Sequence, residues 1–271
     1  MSDVAGIRAG AEAIDLREEG SHGALLLHGF GDTPQTLAGL AKRLNRAGYG
    51  VRAPLLPGHG RTMAEFNESG ADEWAWAAKD AFNEMRWRHR SVSVVGLSMG
   101  GALAVALTAD VQDVPALALI APYIEMPRRI RMAASTHWVW GRLAGEISAQ
   151  NPRSIHDAIA REKSLAYGAV TGSRLYELLK VVRRARKALG KVKAPTLLIQ
   201  SREDPRCSSR GAEHAIKMLA AREKKLVWTE GAGHVITVDY GRERVYSEVA
   251  DWLDKHARGG TAAAADSTAA T

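Results

Sequence analysis

The stretch Ser91-Val92-Ser93-Val94-Val95-Gly96-Leu97-Ser98-Met99-Gly100-Gly101-Ala102 decides how the rest of the chain is read. Residues 91–95 form a short β-branched run, and from Ala102 the chain turns to the Ala, Leu and Val of a buried helix. Between them stands Gly96-x-Ser98-x-Gly100. A serine on a sharp strand-to-helix turn sits in strained backbone geometry, and side chains two positions to either side would collide with the turn, so both positions must be glycine. Such a turn lifts the Ser98 hydroxyl above the sheet edge. It also points the amide of Met99, at a helix N-terminus, toward an oxyanion formed on a bound carbonyl. A Gly-rich turn holding an inert serine would use the same letters, but the strand before it and the helix after it favour the chemical role.

Outward from this turn, β-branched or Leu-rich runs at 23–27, 49–53, 116–120, 196–200 and 225–228 alternate with helix-length segments. Most are apolar almost throughout, as strands covered on both faces must be, which predicts a parallel α/β sheet. Before residue 24 little beyond 13–16 reads as strand. From 128 to 191 the alternation stops and the chain reads as helices only, which predicts an inserted cap. Domain bounds follow: a core of 1–122 and 194–258, a helical cap of 123–193, and an Ala/Thr/Gly-rich tail of 259–271 expected to be disordered. Val245, Val249, Trp252 and Leu253 recur at helical spacing and predict a closing helix.

The 271 residues, 46% hydrophobic and 25% charged, exclude disorder as the main state. The single cysteine, Cys207, allows no disulfide framework. The longest apolar run, 114–124, is interrupted by Pro122 and is far short of the ~20 residues a bilayer requires. Residues 1–8 lack a basic start followed by an apolar core, so a cytoplasmic location is expected. The formal charge of +7 is uneven: 126–193 carries 15 Lys and Arg against Glu146, Asp157, Glu162 and Glu177. Its densest part, from Arg183 to Lys193, has no aromatic interleaving and reads as a solvated helix face rather than a nucleic-acid strip. Steering of anionic esters, or transient contact with an anionic lipid surface, are the roles that the surplus would otherwise serve.

A serine hydroxyl is a poor nucleophile; it needs a base, and the base needs an orienting carboxylate. On sheets of this kind they follow the serine, the acid in a loop after one late strand and the histidine after the next. Strand 196–200 leads into Ser201-Arg202-Glu203-Asp204-Pro205, and 225–228 into Glu230-Gly231-Ala232-Gly233-His234. Asp204 and His234 therefore stand in the required places, with Glu203 the competing acid. His22, His89, His137, His156, His214 and His256 lack that relation and read as surface or packing residues. The second oxyanion donor should come from the loop after the first of these strands, Leu27-His28-Gly29-Phe30-Gly31-Asp32, where the amide of Phe30 works and its ring lines the acyl pocket. A dinucleotide-binding loop would need glycine at position 34, which is Pro34. There is no His-Glu-x-x-His and no closely spaced Cys/His set, so no metal or other cofactor is implied.

Together, His28-Gly29-Phe30, Pro57-Gly58-His59-Gly60, Gly96 to Gly101, Asp204 and Gly233-His234-Val235-Ile236-Thr237 resemble the α/β-hydrolase superfamily, and within it the bacterial carboxylesterase and monoacylglycerol lipase group. The resemblance runs over 24–253 and is weakest across the cap. It implies a mostly parallel central sheet of six to seven strands flanked by helices, with the cap inserted before the acid-bearing strand. It further implies a Ser98-His234-Asp204 triad, an oxyanion hole from the amides of Phe30 and Met99, and hydrolysis of carboxylic esters of short to medium acyl chains, monoacylglycerols included, through an acyl-enzyme. Trp74 would be a packing residue and Pro57 to Gly60 a shaping turn at the site mouth, with His59 structural. Val235 is expected beside the substrate. Ile124, Met126, Ile130, Met132, Trp138, Trp140 and Leu143 would supply acyl-chain contacts, although such a stripe also suits plain core. A thioesterase, C–C bond hydrolase or peptidase would keep the same triad, whereas a non-catalytic binding member of the fold would typically have lost one of its residues.

Overall fold

Leu25 and Leu27 enter one apolar layer, and Ala24 and Leu26 between them enter another, so their strand is covered on both faces. That is why its sequence is apolar without alternation. The computed structural model describes residues 6–17 and 22–258, and the tail 259–271 lies outside the described residues. The elements in chain order are β1 (Ile14–Leu16), β2 (His22–Leu27), α1 (Ala38–Arg46), β3 (Gly50–Ala53), α2 (Met63–Glu68), α3 (Ala71–Arg88), β4 (Ser91–Leu97), α4 (Met99–Val111), β5 (Leu117–Ile120), α5 (Arg128–Ser135), α6 (His137–Ala144), β6 (Glu146–Ser148), α7 (Ala158–Glu162), β7 (Ala169–Thr171), α8 (Gly172–Ala188), β8 (Thr196–Ser201), α9 (Ser209–Met218), β9 (Lys224–Thr229) and α10 (Arg242–Leu253).

Seven strands form one sheet in the order β1-β3-β2-β4-β5-β8-β9. β1 lies antiparallel to β3, and the other neighbouring pairs are parallel. This is the mostly parallel sheet expected of an α/β-hydrolase fold. Trp74, Phe82, Leu103 and Leu178 bring α3, α4 and α8 onto one face, while Leu40, Leu44, Val249 and Leu253 bring α1 and α10 onto the other. Burying a side chain of this size contributes roughly 1.5–3 kcal/mol, so the two layers fix the strand ends from which the site projects.

The segment between β5 and β8 departs from the expectation of helices only, because β6 and β7 pair as an antiparallel ribbon. With three residues in each strand, neither is long enough to display an alternating pattern. Its last helix, α8, packs on α4, burying Leu178, Leu179, Val181, Val182 and Ala185. The basic run occupies its other stripe: Arg183, Arg184, Arg186 and Lys187 are exposed, Arg184 pairs with Asp72, and Arg186 lies 3.6 Å from Glu125.

Candidate active site

Ser98 joins β4 to α4 with φ 55° and ψ −116°, a left-handed conformation that a residue bearing a Cβ rarely adopts. A Cβ on Gly96 would collide with the carbonyl of Gly100, and one on Gly100 with the carbonyls of Leu27 and His28. Both glycines are thus demanded by the turn. The Ser98 amide donates to Ile120 O at 3.0 Å and its carbonyl accepts from the Tyr123 amide at 2.9 Å. These bonds hold the strained residue from both sides.

From this turn a chain of hydrogen bonds crosses the C-terminal edge of the sheet. Ser98 Oγ lies 2.8 Å from His234 Nε2, and His234 Nδ1 lies 2.8 Å from Asp204 Oδ2. Asp204 Oδ1 accepts the amides of Arg206 at 2.7 Å and Cys207 at 2.9 Å, and Oδ2 also accepts Gln200 Nε2 at 2.8 Å. Burial pushes the Asp204 pKa up, but the charge and hydrogen bond of His234, with the two amides, outweigh it and hold the carboxyl below its ordinary value. An ionised Asp204 sets the proton on Nδ1, which leaves Nε2 to accept from Ser98. Glu203, the competing acid, turns the other way: its carboxylate accepts the Gly231 amide at 2.6 Å and steadies the histidine loop.

Phe30 sits on the loop after β2, where Gly29 passes so close to Ser98 that a Cβ on it would lie 3.5 Å from that of the serine. Met99 opens α4, so its amide belongs to a first turn whose donors lack intrahelical partners. The Phe30 ring meets Phe66 edge-on at 5.2 Å and Trp74 at 5.9 Å, and Phe66 stacks on Tyr167 at 4.9 Å. His59 lies in the same stack, 4.8 Å from Phe66 and 5.4 Å from Trp74. Trp74 Nε1 donates to Pro57 O at 3.1 Å, tying the stack to the Pro57–Gly60 turn. Burial pushes the His28 pKa down to about 4, partly offset by its bond to Gly29 O, while His28 Nε2 accepts the Leu56 amide at 3.1 Å. Burial likewise drives His59 well below its ordinary value. Both are neutral imidazoles holding loops.

A cavity of about 620 Å³ opens over Ser98 and His234, with Phe30, Val235, Ile130 and Tyr167 in its wall. The other expected acyl contacts lie elsewhere. Ile124 and Met126 are buried in the layer that α4 and α8 share, because the chain leaving β5 is still inside that layer. Trp138 is 73% exposed and Met132 58% exposed, on the outer side of the inserted helices. Trp140 turns back within the insert, its Nε1 donating to Ala133 O at 2.9 Å. The side chain of Leu143 lies outside the described residues. Leu175, Leu178 and Tyr123 line the wall instead.

Three supporting residues escape a reading of the sequence. Asp239 is fully buried and accepts the amides of Gly233, His156, Asp157 and Tyr240 at 2.7–2.9 Å. Those bonds overcome burial and keep its carboxyl below the ordinary value. Gln200 is the polar residue that ends an apolar strand run, which is the signal that could have found it. Asp32 is buried in the cavity wall, and burial raises its pKa to about 6 despite the Thr33 amide and Thr36 hydroxyl that it accepts. For a metal, the described residues offer one set of three donors, Asp204, Cys207 and His234, whose atoms lie within 4.8 Å of one another. Two of these are engaged with each other, and burial keeps the Cys207 thiol protonated.

Among known proteins, the chain is 27% identical over 263 residues to a thermostable monoacylglycerol lipase of Bacillus sp. (strain H-257), covering 95% of this chain and 100% of that one. It is 25% identical over 237 residues to a carboxylesterase of Bacillus subtilis (strain 168), covering 87% and 94%. Among solved structures, one from the study of LipS and LipT, two metagenome-derived lipolytic enzymes, superposes with a TM-score of 0.85 at 29% identity, covering 92% of this chain and all of that one. The family model described as "Serine aminopeptidase, S33" matches residues 22–240, which takes in the serine turn, Asp204 and His234. The chain belongs to that family of α/β-hydrolases.

Proposed function

We propose that the protein is a serine hydrolase that cleaves carboxylic esters of short to medium acyl chains, monoacylglycerols among them, through an acyl-enzyme. The unbroken 2.8 Å links from Ser98 to His234 and from His234 to Asp204, at the floor of a cavity, carry this assignment. His234 takes the Ser98 proton as Oγ attacks the ester carbonyl. The amides of Phe30 and Met99 hold the oxyanion. His234 then gives its proton to the departing alcohol, and the same imidazole activates the water that frees the acid. Asp204 orients the ring and stabilises its charged form.

Residues 123–193 act as the cap in this proposal, supported by the presence of Ile130, Tyr167, Leu175 and Leu178 in the cavity wall. Exposed Trp138, Met132 and Val139 beside exposed Arg128, Arg129 and Arg131 give the cap an outer surface suited to transient contact with anionic lipid. No described helix is long and apolar enough to cross a membrane, and a cytoplasmic site of action remains part of the proposal.

The family's description as a serine aminopeptidase favours one second reading, hydrolysis of an aminoacyl amide on the same triad. A panel of p-nitrophenyl esters from acetate to laurate, run beside aminoacyl p-nitroanilides, separates the two. Turnover of the esters with no release from the anilides is expected; the reverse would assign the protein to the peptidases.

A further inference from the structure

Asp32 is the one carboxylate in the cavity wall among the described residues, and it is only 7% exposed. Its Oδ1 accepts the Thr33 amide at 2.8 Å and its Oδ2 the Thr36 hydroxyl at 3.0 Å. A carboxylate has about four acceptor sites, so each oxygen keeps one open. Removing a carboxylate from water without a cationic partner costs several kcal/mol, and no ion pair to Asp32 is formed by the described residues. Capping the turn at Pro34 needs only a neutral acceptor, so the charge has no use within the fold.

Its position gives the charge a use in the cavity. Gly29 separates it from the nucleophile: a Cβ on Gly29 would lie 3.5 Å from Ser98 Cβ and 3.8 Å from Asp32 Oδ2. Carboxylate and serine thus flank one glycine, a span that a short polyol and a hydrogen bond can cover. In ester cleavage the departing alcohol must sit against His234 Nε2, which protonates it, and Asp32 lines the same cavity as His234 and Ser98.

We propose that Asp32 is a specificity-determining residue that selects esters whose alcohol moiety carries a free hydroxyl, by accepting a hydrogen bond from that hydroxyl. This rests on the ester-hydrolase assignment above. An alcohol without a hydroxyl leaves the desolvated carboxylate short of a donor, and sites of that kind discriminate strongly against the analogue that lacks the group. Apolar alcohols of the same length are therefore poorer substrates.

The test compares glyceryl monobutyrate with propyl butyrate, which share the acyl group and the three-carbon alcohol skeleton. In the native enzyme kcat/KM should favour the glyceryl ester by about tenfold or more. In Asp32→Asn and Asp32→Ala that ratio should fall toward unity, with KM for the glyceryl ester rising more than KM for the propyl ester. Asn can still accept the Thr33 amide and bond Thr36, so a purely capping role would leave the ratio unmoved. Equal kcat/KM for both esters in the native enzyme, or an unchanged ratio in a folded Asn variant, overturns the proposal. Failure of the native enzyme to turn over either ester, with Ser98 unlabelled by a fluorophosphonate, is a different result: it removes the ester-hydrolase assignment and this proposal with it.

Discussion

The carbonyl of Ser154 accepts the amide of His234 at 2.8 Å, so the loop that carries the imidazole is tied directly to the segment inserted between β5 and β8. The same carbonyl accepts the Val235 amide at 3.0 Å, and Arg206 Nε reaches Ser154 Oγ at 3.1 Å from the acid loop. Asp239 completes the staple, holding Gly233 on one side and His156 and Asp157 on the other. Ser154, His156 and Asp157, within the inserted segment, therefore help to hold the loop that carries the base.

Removing that staple should harm both fold and rate. Asp239→Ala orphans four amides, and losing a buried, multiply bonded carboxylate costs roughly 3–5 kcal/mol. Thermal unfolding should show the loss. Ester turnover should drop by more than about tenfold below the unfolding range, since a 1 Å displacement of a catalytic group can cost about a hundredfold. A variant that unfolds early yet keeps its native kcat at low temperature would show that Asp239 serves the fold alone.

Asp204 and Gln200 should separate in their effects. Asp204→Asn offers an amide in place of the carboxylate facing Nδ1 and favours the wrong tautomer, which should lower kcat on the order of 10⁴. Gln200→Leu removes one neutral donor to Oδ2 and also removes Gln200 Oε1, which is buried with no hydrogen-bond partner. Its stability should fall by about 1 kcal/mol, because the bonds from Nε2 to Asp204 Oδ2, Ser201 O and Cys207 O are lost while one orphaned oxygen is relieved. Its kcat should fall by about tenfold, measured on p-nitrophenyl butyrate. A Gln200→Leu enzyme of native activity would mean that the amides of Arg206 and Cys207 suffice to place the acid.

The parts legible from sequence are those whose cause is local. Gly96 and Gly100 are glycine because of a turn five residues long, and most strands read as buried because they are apolar almost throughout. Asp204 and His234 could be placed by the order of loops along one sheet edge. Asp239 could not, because an acid that takes four amides looks in sequence like any lone acid until a loop about 80 residues earlier is laid beside it. Ile124 lies in the core and Trp138 on the outer surface, and the sequence did not separate these places for a related reason. An apolar stripe says that a side chain avoids water, and it does not say whether core, cavity or outer surface receives it.

Two buried groups should oppose each other as pH falls. Asp32, raised by burial to about 6, binds its proton more tightly folded than unfolded between about pH 4 and 6, so its contribution to stability declines as pH rises through that window. His28, lowered to about 4, has the opposite sign: the unfolded chain protonates first, and stability is lost as pH falls from about 6.5 to 4. Each shift corresponds to roughly 3 kcal/mol. Asp32→Asn should therefore be more stable than the native protein above pH 6, by about 2 kcal/mol. It should also lose stability more steeply on acidification, because the His28 slope is no longer offset. Urea midpoints measured at pH 4, 5, 6 and 7 check this, and parallel curves for the two proteins would contradict it.

The cap's charge and its exposed apolar groups make separable demands. Arg128, Arg129 and Arg131 lie in the open beside Pro127 and Ile130, which line the cavity. Attraction between exposed charges is screened as the Debye length shrinks from about 10 Å at 0.1 M salt to about 3 Å at 1 M. If the arginines steer substrate, kcat/KM for a succinate half-ester should fall several-fold over that range, while a neutral ester of equal length should not respond. Lipid contact needs more than charge, because an interfacial surface holds by apolar insertion as well as by attraction to anionic headgroups. Co-sedimentation with vesicles rich in phosphatidylglycerol should then weaken in Trp138→Ala combined with Met132→Ala, whose arginines are intact. Those two side chains are 73% and 58% exposed and pack little of the fold, so the variant should unfold where the native protein does. Binding that salt abolishes but the double substitution leaves unchanged would assign the surface to electrostatics alone.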